Sequence, residues 1–564
     1  MTGHPSGPLI EGDQVCFSLW APDAQAVSLE VAGQGLQVME DAGDGWKQAM
    51  ASGGAGLNYR FRIDDVIFPD PASRLQHGGV HGWSVVTMPR KAEPWCGRPW
   101  HETVLYECHP GLMGGFSGVA GRLADLAALG ITAIELMPVA AFPGTRNWGY
   151  DGVLPYAPAE SYGTPADLRA LIARAHQLNL SVFLDVVYNH FGPDGNYLPL
   201  YAKSFFREDR PTPWGPAIDF RQSAVRRFFS DNARQWLFDY GFDGLRFDAV
   251  HAIVDDGWLD QLARDLRHEA GDRPIYLVLE NEDNIAGHLR RGFDAQWNDD
   301  SHHALHVLLT GETRGYYQDF ADQPAALLAR ALSEGFIYQG QASANRQGSP
   351  RGEHSGDLPP SAFVSFLQNH DQTGNRAFGE RLVALANTAA LKAVVALQLL
   401  APQIPLIFMG EEIGSRAPFL YFTDHEPALA QAVREGRAKE FAAFADAAAG
   451  RDIPDPNATA SFVASRPERN APDPDGWRTH YRKLLALRRQ WVVPGIDGAR
   501  ALSATAVGDK AVTARWHLGN GAILTLALNL GAVAVAADLP LGRPFWGEPA
   551  KVIPAYQTLA WLDR

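Results

Sequence analysis

Eight apolar segments, most of them separated by helical patterns, constrain the fold of this chain more than any other feature. The segments are TVLYECHP from Thr103, ITAIELMPV from Ile131, LSVFLDVVYNH from Leu180, FDGLRFDAV from Phe242, IYLVLENED from Ile275, FDAQWNDD from Phe293, AFVSFLQNHD from Ala362 and IPLIFMGEE from Ile404. Such near-continuous apolar runs are typical of parallel strands buried on both faces. Their alternation with helices predicts an α/β protein with a (β/α)8 barrel and insertions, with an open doubly wound sheet as the alternative.

Nearly every apolar segment ends, on its C-terminal side, in polar and reactive residues. The ends read YNH, RFD, ENED, NDD, NHD and EE. In a (β/α)8 barrel the active site lies at the C-terminal ends of the strands. The pattern therefore favours the barrel over the open sheet, and it predicts that these side chains meet in one cleft.

The two ends of the chain differ from this central pattern. Short alternating segments such as VCFSLWAPDAQAVSLEVAG and NYRFRIDD predict an N-terminal β-sandwich, and a Pro-containing linker, KAEPWCGRPWHE, follows it. Near the C-terminus, HLGNGAILTLALNLG contains the hairpin signal Asn520-Gly521 and predicts an all-β domain. We expect domains at residues 1–92, 93–490 and 491–564.

Two helices and one long loop are also predicted within the central part. TPADLRALIARAHQLN has Thr164 as its N-cap and Asp167 at the capping-box position, and an apolar stripe marks a second helix before residue 240. The segment from Gln339 to Pro360 is rich in Gly, Ser and Pro and predicts a loop before the seventh strand. Its length favours a lid or substrate loop over a tolerated insertion.

Charge and cysteine usage limit the partners and the compartment. The chain has 49 Lys and Arg against 64 Asp and Glu, a formal net charge of −15, which argues against nucleic acid as a partner. Cys16, Cys96 and Cys108 are far apart and form no disulfide or zinc pattern. We find neither a signal-peptide pattern at the N-terminus nor an apolar run of ~18 residues, so we expect a cytoplasmic protein without a membrane partner.

Three carboxylates end different predicted strands: Asp248, Glu280 and Asp371. Glycoside hydrolysis uses two carboxyl groups flanking one bond, one ionised and one protonated. Arg246 shares a strand face with Asp248 and would keep it ionised, which makes Asp248 the better nucleophile. Glu280 follows an apolar run, and burial raises the pKa of a carboxyl, so Glu280 is the better acid/base. Asp371 could stabilise the transition state or bind ring hydroxyls.

Some assignments stay open on spacing alone. Glu282 shares a face with Glu280, and Asp283 follows it, so spacing does not choose between the two glutamates. HxH and HExxH spacings, which mark transition-metal sites, are absent from the sequence, and we expect no metal site. The residues that such a site would use are Asp185, His190, Asp299, Asp300, His302 and His303. His190 and His370 lie beside Asn or Asp at strand ends, where they could donate to sugar hydroxyls.

Four short stretches, DVVYNH, GFDGLRFDAV, LENED and FLQNHD, resemble in order the four sequence regions of the α-amylase family of retaining glycoside hydrolases. The resemblance implies Asp248 as nucleophile, Glu280 as acid/base and Asp371 as transition-state stabiliser. It also selects Glu280 over Glu282, because the acid of that family directly follows the apolar strand. The residues on supporting positions of the family are Asp185, Asn189, His190, Arg246 and His370.

Longer strings resemble one branch of that family, the malto-oligosyltrehalose trehalohydrolases. They include NWGYDGVLPYAPAESYGTPADLRALIARAH, QWNDDSHHALHVLLTGE and FLQNHDQTGNRAFGERL. The resemblance implies hydrolysis of the α-1,4 bond next to a terminal trehalose, without a cofactor, on a substrate made by malto-oligosyltrehalose synthase. The residues it implies for substrate binding are Tyr150, His190, Arg246, His251, Asp299, Asp300, His302, His303, His370, Gln372 and Asn375.

Two other functions remain as alternatives. A glycogen branching enzyme would use the same intermediate and pass it to a sugar hydroxyl instead of water. A non-catalytic glucan-binding protein would be expected to have lost part of the catalytic trio, and all three carboxylates and Arg246 are present. A retaining hydrolase further predicts a separation of ~5–5.5 Å between the carboxyl groups of Asp248 and Glu280.

Overall fold

The structure is a computed structural model and describes residues 4, 6–88, 90–254, 257–441, 452–467 and 471–564. Eight parallel strands close into a barrel in chain order, and β8 pairs with β1. The strands are β1 (Leu105–Cys108), β2 (Ala133–Leu136), β3 (Ser181–Val186), β4 (Gly244–Phe247), β5 (Tyr276–Leu279), β6 (Ala295–Trp297), β7 (Phe363–Phe366) and β8 (Ile404–Phe408). The predicted (β/α)8 barrel is confirmed, and the open sheet is wrong.

Apolar side chains fill the barrel interior, and charged side chains lie towards the C-terminal ends of β1 to β4. One buried cluster of interior side chains comes from every barrel strand except β4 and comprises Leu105, Ala133, Phe183, Val278, Ala295, Trp297, Val364, Phe366, Ile404 and Leu406. In each strand, the residue two positions closer to the C-terminal end lies on the same face. On β1 to β4 these are Glu107, Glu135, Asp185 and Arg246, of which Glu107 is level with Glu135 and Asp185 with Arg246. The pleat therefore puts a charged layer directly beneath the cleft.

Helices surround this barrel, and the predicted capping box is present. The Thr164 side chain accepts from the Asp167 amide, and the Asp167 carboxylate accepts from the Thr164 amide. The second predicted helix is α-helical to Arg234 and then widens into a π-turn, Gln235–Tyr240. The α-helices are Pro110–Met113, Gly115–Ala120, Leu123–Leu129, Pro165–Gln177, Leu198–Tyr201, Ser223–Arg234, Trp258–Ala270, Gly287–Arg290, Asp299–Thr310, Pro324–Glu334, His370–Gly374, Leu382–Leu385, Thr388–Leu400, Pro427–Glu440, Thr459–Ala464 and Pro474–Leu487.

Two antiparallel sheets form the N-terminal region, as predicted. The strands of the first sheet, in spatial order, are Leu9–Glu11, Gln14–Trp20, Trp46–Ser52 and Glu40–Gly43. Those of the second are Gly35–Val38, Ser28–Val31, Asn58–Ile63, Trp83–Val85 and Gln76–His77, with Val66–Phe68 paired to Asn58–Ile63. The rings of Phe17 and Tyr59, one from each sheet, lie 4.7 Å apart between centroids, so the two sheets pack face to face.

The C-terminal region is also antiparallel. Its main sheet consists, in order, of Arg500–Gly508, Ala511–His517, Ile523–Asn529 and Gln557–Asp563, and Val535–Ala536 pairs with Val552–Ile553. The predicted Asn520-Gly521 hairpin joins two of these strands, with Gly521 left-handed at φ 86°. The flanking β domains are therefore confirmed, while their exact boundaries stay a prediction.

Three further hairpins form two-stranded sheets separate from the barrel sheet. They pair Ala140–Ala141 with Leu154–Pro158, Phe206–Thr212 with Gly215–Ile218, and Gln341–Ala342 with Pro350–Arg351. The last hairpin lies within the predicted loop before the seventh strand. Among the residues that the structure describes, we find no helix with both the length and the apolar character needed to cross a membrane.

Candidate active site

Arg246, in the charged layer on β4, is the centre of the site. Its Nη1 lies 2.8 Å from Asp185 Oδ2 and 2.7 Å from Asp248 Oδ1. Its Nη2 lies 3.5 Å from Glu280 Oε2. The guanidinium carbon also sits 4.2 Å from the ring centroid of Trp297. One buried cation therefore holds carboxyl groups from the ends of β3, β4 and β5 together.

Burial and neighbouring charges shift the pKa values of Arg246 and Glu280 by different balances. Burial lowers the pKa of Arg246, but Asp185 and its other neighbours outweigh burial and raise it well above its ordinary value, so the guanidinium stays charged. Burial raises the pKa of Glu280, Arg246 opposes this, and Asp248 adds to the rise. Glu280 therefore holds a proton more readily than an ordinary glutamate, as a general acid must.

The chain turns sharply directly after Asp248. Ala249 is left-handed, with φ 40° and ψ 49°, which is strained for a residue with a side chain. Its amide donates to Glu280 Oε2 at 2.5 Å, and the Asp248 amide donates to Val186 O at 3.0 Å. The turn that carries one carboxylate therefore also positions the other.

A second cation, His370, lies at the end of β7. Its Nδ1 is 2.5 Å from Glu107 Oε1, and its backbone amide donates to Glu107 Oε2 at 3.3 Å. Its Nε2 is 3.5 Å from Asp371 Oδ2. Burial lowers the pKa of His370, but Asp371 and Glu107 outweigh burial and raise it to about 9. The Asp371 side chain is 39% exposed and faces the cleft.

Aromatic rings connect the two cations. The Tyr150 hydroxyl donates to Asp185 Oδ2 at 2.6 Å, and its ring stacks on His370 with centroids 5.0 Å apart. His190 Nε2 lies 2.9 Å from Tyr150 O, and the His190 ring stacks on Trp214 at 5.0 Å and 13°. Burial lowers the pKa of His190, which favours its neutral form. Asn189 contacts the other ring nitrogen of His190.

Four more of the predicted residues surround Asp371 or the strand end of β5. Gln372 Nε2 donates to Asp299 Oδ1 at 3.0 Å, and Asn375 Nδ2 donates to Asp371 Oδ1 at 3.3 Å. His251 Nδ1 accepts from the Glu282 amide at 3.3 Å. Burial, with a smaller contribution from Glu280, raises the pKa of Asp299 to about 8.

The structure does not bring Asp300 into the cleft. Its carboxylate is completely buried, with Arg351 Nη2 3.0 Å from Oδ1. Its Oδ2 accepts from the amides of Ile337 and Tyr338, each at 2.9 Å. All of these partners belong to the segment that precedes β7, so Asp300 anchors that segment, and we do not retain the substrate contact expected for it.

His302 is likewise interior, and His303 is set among aromatic rings. His302 Nδ1 lies 2.7 Å from Leu367 O, and its ring stacks on Phe366, so it packs against β7 instead of lining the cleft. His303 is partly exposed and lies against Phe320 and two tyrosines. Burial lowers the pKa of both histidines well below the ordinary value. Within the described ranges, no three His, Cys, Asp or Glu side chains form a cluster suited to a metal ion.

Comparisons with known proteins agree with this geometry. The family model for the α-amylase catalytic domain matches residues 67–214, and a domain of unknown function, DUF3459, matches residues 499–556. The malto-oligosyltrehalose trehalohydrolase of Deinococcus radiodurans is 41% identical over 503 residues, which cover 86% of this chain and 82% of the relative. The chain belongs to the malto-oligosyltrehalose trehalohydrolase family.

Two further comparisons support this membership. The malto-oligosyltrehalose trehalohydrolase of Saccharolobus solfataricus is 41% identical over 452 residues, covering 77% of this chain and 80% of the relative. A crystal structure described as a putative α-amylase from Salmonella typhimurium is 43% identical, covers 99% of both chains and superposes with a TM-score of 0.93. The protein is a glycoside hydrolase of the α-amylase type.

Three residues of this trehalohydrolase site were missed by sequence reasoning. Glu107 and Glu135 interrupt apolar strands, and their position two residues after an interior residue was the available signal. Glu135 is buried, burial raises its pKa well above the ordinary value, and among the described residues neither of its carboxyl oxygens has a hydrogen-bond partner. Trp214 belongs to a hairpin and is 46% exposed above His190. No periodic pattern in the sequence marks it.

Two ion pairs and a hydrogen bond connect the predicted loop before β7 to the residues that follow β5. Arg346 Nη1 lies 2.5 Å from Asp283 Oδ1, and Arg346 Nη2 lies 3.1 Å from Glu282 Oε1. Arg351 Nε donates to Glu282 O at 2.7 Å. Glu282 is thus occupied by this loop, whereas Glu280 contacts the central Arg246. This arrangement distinguishes the two glutamates that sequence spacing left equivalent.

Proposed function

We propose that this protein hydrolyses the α-1,4-glucosidic bond next to the terminal trehalose of malto-oligosyltrehalose and releases trehalose and a malto-oligosaccharide. The 41% identity to the malto-oligosyltrehalose trehalohydrolase of Deinococcus radiodurans supports the choice of bond. The observation that supports the chemistry is that Asp248 and Glu280 contact the same buried guanidinium, one at each terminal nitrogen. The arrangement supports a retaining mechanism, which needs two carboxyl groups close to one bond.

In the first step Asp248 attacks the anomeric carbon, and its Oδ displaces the trehalose oxygen. Arg246 orients Asp248 through a charge-assisted hydrogen bond from its Nη1 to the Asp248 carboxylate. Glu280 donates its proton to the departing oxygen, so trehalose leaves as a neutral alcohol. The product of this step is a glycosyl ester on Asp248.

In the second step Glu280, now ionised, removes a proton from water. The water attacks the anomeric carbon, the bond to Asp248 breaks, and the sugar leaves with its original anomeric configuration. Asp371 lies beside His370 and faces the cleft. We assign to it the stabilisation of the positive charge that develops at the anomeric centre in both steps.

The sugar at the cleavage point is expected to stack on Tyr150, with His370 donating to its hydroxyls and His190 lying beside them. His251, Asp299, Gln372 and Asn375 are the proposed contacts further along the cleft. Trp214 adds an exposed aromatic face on the other side of His190. Flat aromatic faces suit sugar rings because they offer large apolar contact at low entropic cost.

The metabolic setting is part of the same proposal. The substrate would be supplied by a malto-oligosyltrehalose synthase. All three cysteines are free thiols, and two of them are buried, which supports a reducing compartment such as the cytoplasm.

The test is to incubate the purified protein with maltotriosyltrehalose and, separately, with maltopentaose, and to separate the products by chromatography. We expect trehalose and maltotriose from the first and little product from the second. Equal attack on both would indicate a general α-glucanase, and new α-1,6 branches would indicate a transferase. The Asp248→Asn variant is the control, and it should release neither product.

A further inference from the structure

We propose that Glu107 is a positioning residue that holds His370 doubly protonated, so that its Nε2–H points at Asp371 and at the sugar in the cleavage position. The inference rests on the proposed function and assigns a role to a residue on β1 that contacts no substrate. Glu107 and His370 are 263 positions apart in the sequence and meet only because the barrel closes.

The contact has two parts. One Glu107 oxygen is 2.5 Å from the ring Nδ1, and the other accepts from the His370 backbone amide at 3.3 Å. The ring nitrogen and the amide are therefore fixed by the same carboxylate. With Nδ1 held as a donor, Nε2 is left to face Asp371, at 3.5 Å.

The ring has little freedom to turn away from this arrangement. The Tyr150 ring stacks on it at 5.0 Å and 20°, and the edge of Trp148 meets it at 5.7 Å and 89°. His370 is 1% exposed, so bulk water does not stabilise its charge. A buried imidazolium persists only where carboxylates compensate its lost hydration.

Charged and titratable groups face His370 from several elements. They are Glu107 on β1, His109 after β1, Glu135 on β2, Asp185 on β3, Arg246 on β4 and Asp371 next to it. Arg246 is occupied by its own carboxylates, and burial raises the pKa of Glu135 well above its ordinary value. Of the buried carboxylates, Glu107 is the one in direct contact with the ring.

The alternative is that Glu107 only ties β1 to the end of β7. The two roles differ in what an isosteric Glu107→Gln change does. A purely structural tie would lose stability or affinity equally at every pH. A positioning role predicts that His370 loses its proton at lower pH, so that the defect grows as the pH rises.

The experiment measures the affinity for maltotriosyltrehalose between about pH 6 and pH 10 by titration calorimetry. It uses a Glu280→Gln parent, which neither turns over the substrate nor titrates at position 280. We expect the alkaline loss of binding to have its midpoint near the pKa of His370, about 9. Any separate step from Asp299, whose pKa burial also raises, should be the same in all variants because all of them carry Glu280→Gln.

Adding Glu107→Gln should lower the midpoint assigned to His370 by at least one pH unit. At about pH 9.5 the affinity should then fall by roughly tenfold relative to the parent, with little change at pH 6. Glu107→Asp restores the negative charge, so the midpoint should return towards that of the parent even if affinity is lower. Glu135→Gln is the matched control in the same layer and should leave the midpoint unchanged.

An unchanged midpoint in Glu107→Gln, or equal shifts in Glu107→Gln and Glu135→Gln, would overturn the proposal. If Glu107→Gln fails to fold, an NMR titration of the His370 ring in the Glu280→Gln parent decides it: a ring that is still doubly protonated at pH 8 supports the proposal, and a ring that is neutral at pH 7 overturns it. Absence of binding by the parent would instead count against the proposed function itself.

Discussion

The site contains two buried cations, Arg246 and His370, and each lies between carboxylates. Arg246 holds Asp185, Asp248 and Glu280, and His370 lies between Glu107 and Asp371. Burial lowers the pKa of both cations, and the carboxylates raise both, so the balance is of the same kind on the two sides.

The two sides differ in the intrinsic chemistry of the cation. A guanidinium stays charged in any working buffer, whereas the ordinary pKa of an imidazole is near 6.5. Carboxylate neighbours bring His370 only to about 9. The comparison shows that Arg246, beside the nucleophile, stays charged at every working pH. His370, beside Asp371, keeps its charge only up to mildly alkaline pH.

The largest effect is expected from a change at the nucleophile, Asp248, which pairs with Arg246. Asp248→Asn removes the attacking oxygen's charge, and we expect kcat to fall on the order of 10⁵-fold, as for other covalent nucleophiles. Trehalose release measures this. An Asp248→Asn enzyme within tenfold of the wild type would mean that another residue is the nucleophile and would break the comparison.

The next effect tests the geometry of the first cation without removing its charge. Arg246→Lys keeps one positive charge but cannot bridge three carboxylates, because an ammonium has no planar fork. We expect kcat to fall by roughly 10²- to 10³-fold at every pH between 6 and 9. A defect confined to alkaline pH would show that Arg246 and His370 behave alike, contrary to the comparison.

The third prediction concerns how the protonation of His370 changes the stability of the folded protein with pH. Its folded pKa of about 9 lies above the unfolded value of about 6.5, so its contribution is fully present below about pH 6.5 and is lost as the pH rises through 9. The difference in Tm between wild type and His370→Asn should therefore shrink by a few °C between pH 6.5 and pH 9.5. A constant difference would mean that His370 is neutral in the folded state.

The smallest effect is expected at the exposed Trp214, which stacks on His190 and is not among the described neighbours of Arg246 or His370. Trp214→Ala should raise KM by roughly three- to tenfold, the value of one stacking contact, with kcat nearly unchanged. A Trp214→Phe variant keeps an aromatic face and should recover most of the loss. A fall in kcat with unchanged KM would instead place Trp214 in the transition state.

Most of the architecture could be predicted from the sequence because its signals are local. All eight barrel strands fall within the predicted apolar segments, since a strand buried on both faces needs a continuous apolar run. The hairpin at Asn520-Gly521 and the capping box at Thr164 are equally local, and both are present.

The segment from Asp299 to His303 shows what sequence reasoning does not separate. The family resemblance implies substrate contacts for Asp299, Asp300, His302 and His303 alike, but the segment begins a helix, Asp299–Thr310. Each residue of a helix is rotated by about 100° from the previous one, so neighbours face different ways. Asp299 reaches Gln372, whereas Asp300 turns inward to Arg351 and His302 packs on Phe366.

The sequence by itself determined the barrel, the three carboxylates at its strand ends and the pairing of Arg246 with Asp248, because strand periodicity and the i, i+2 pleat are properties of short segments. Only the tertiary structure decided that Glu107 meets His370, that Glu280 and not Glu282 reaches Arg246, and that Trp214 covers His190. These contacts join residues from different strands and loops. Closure of the barrel chooses such partners, and no local pattern encodes them.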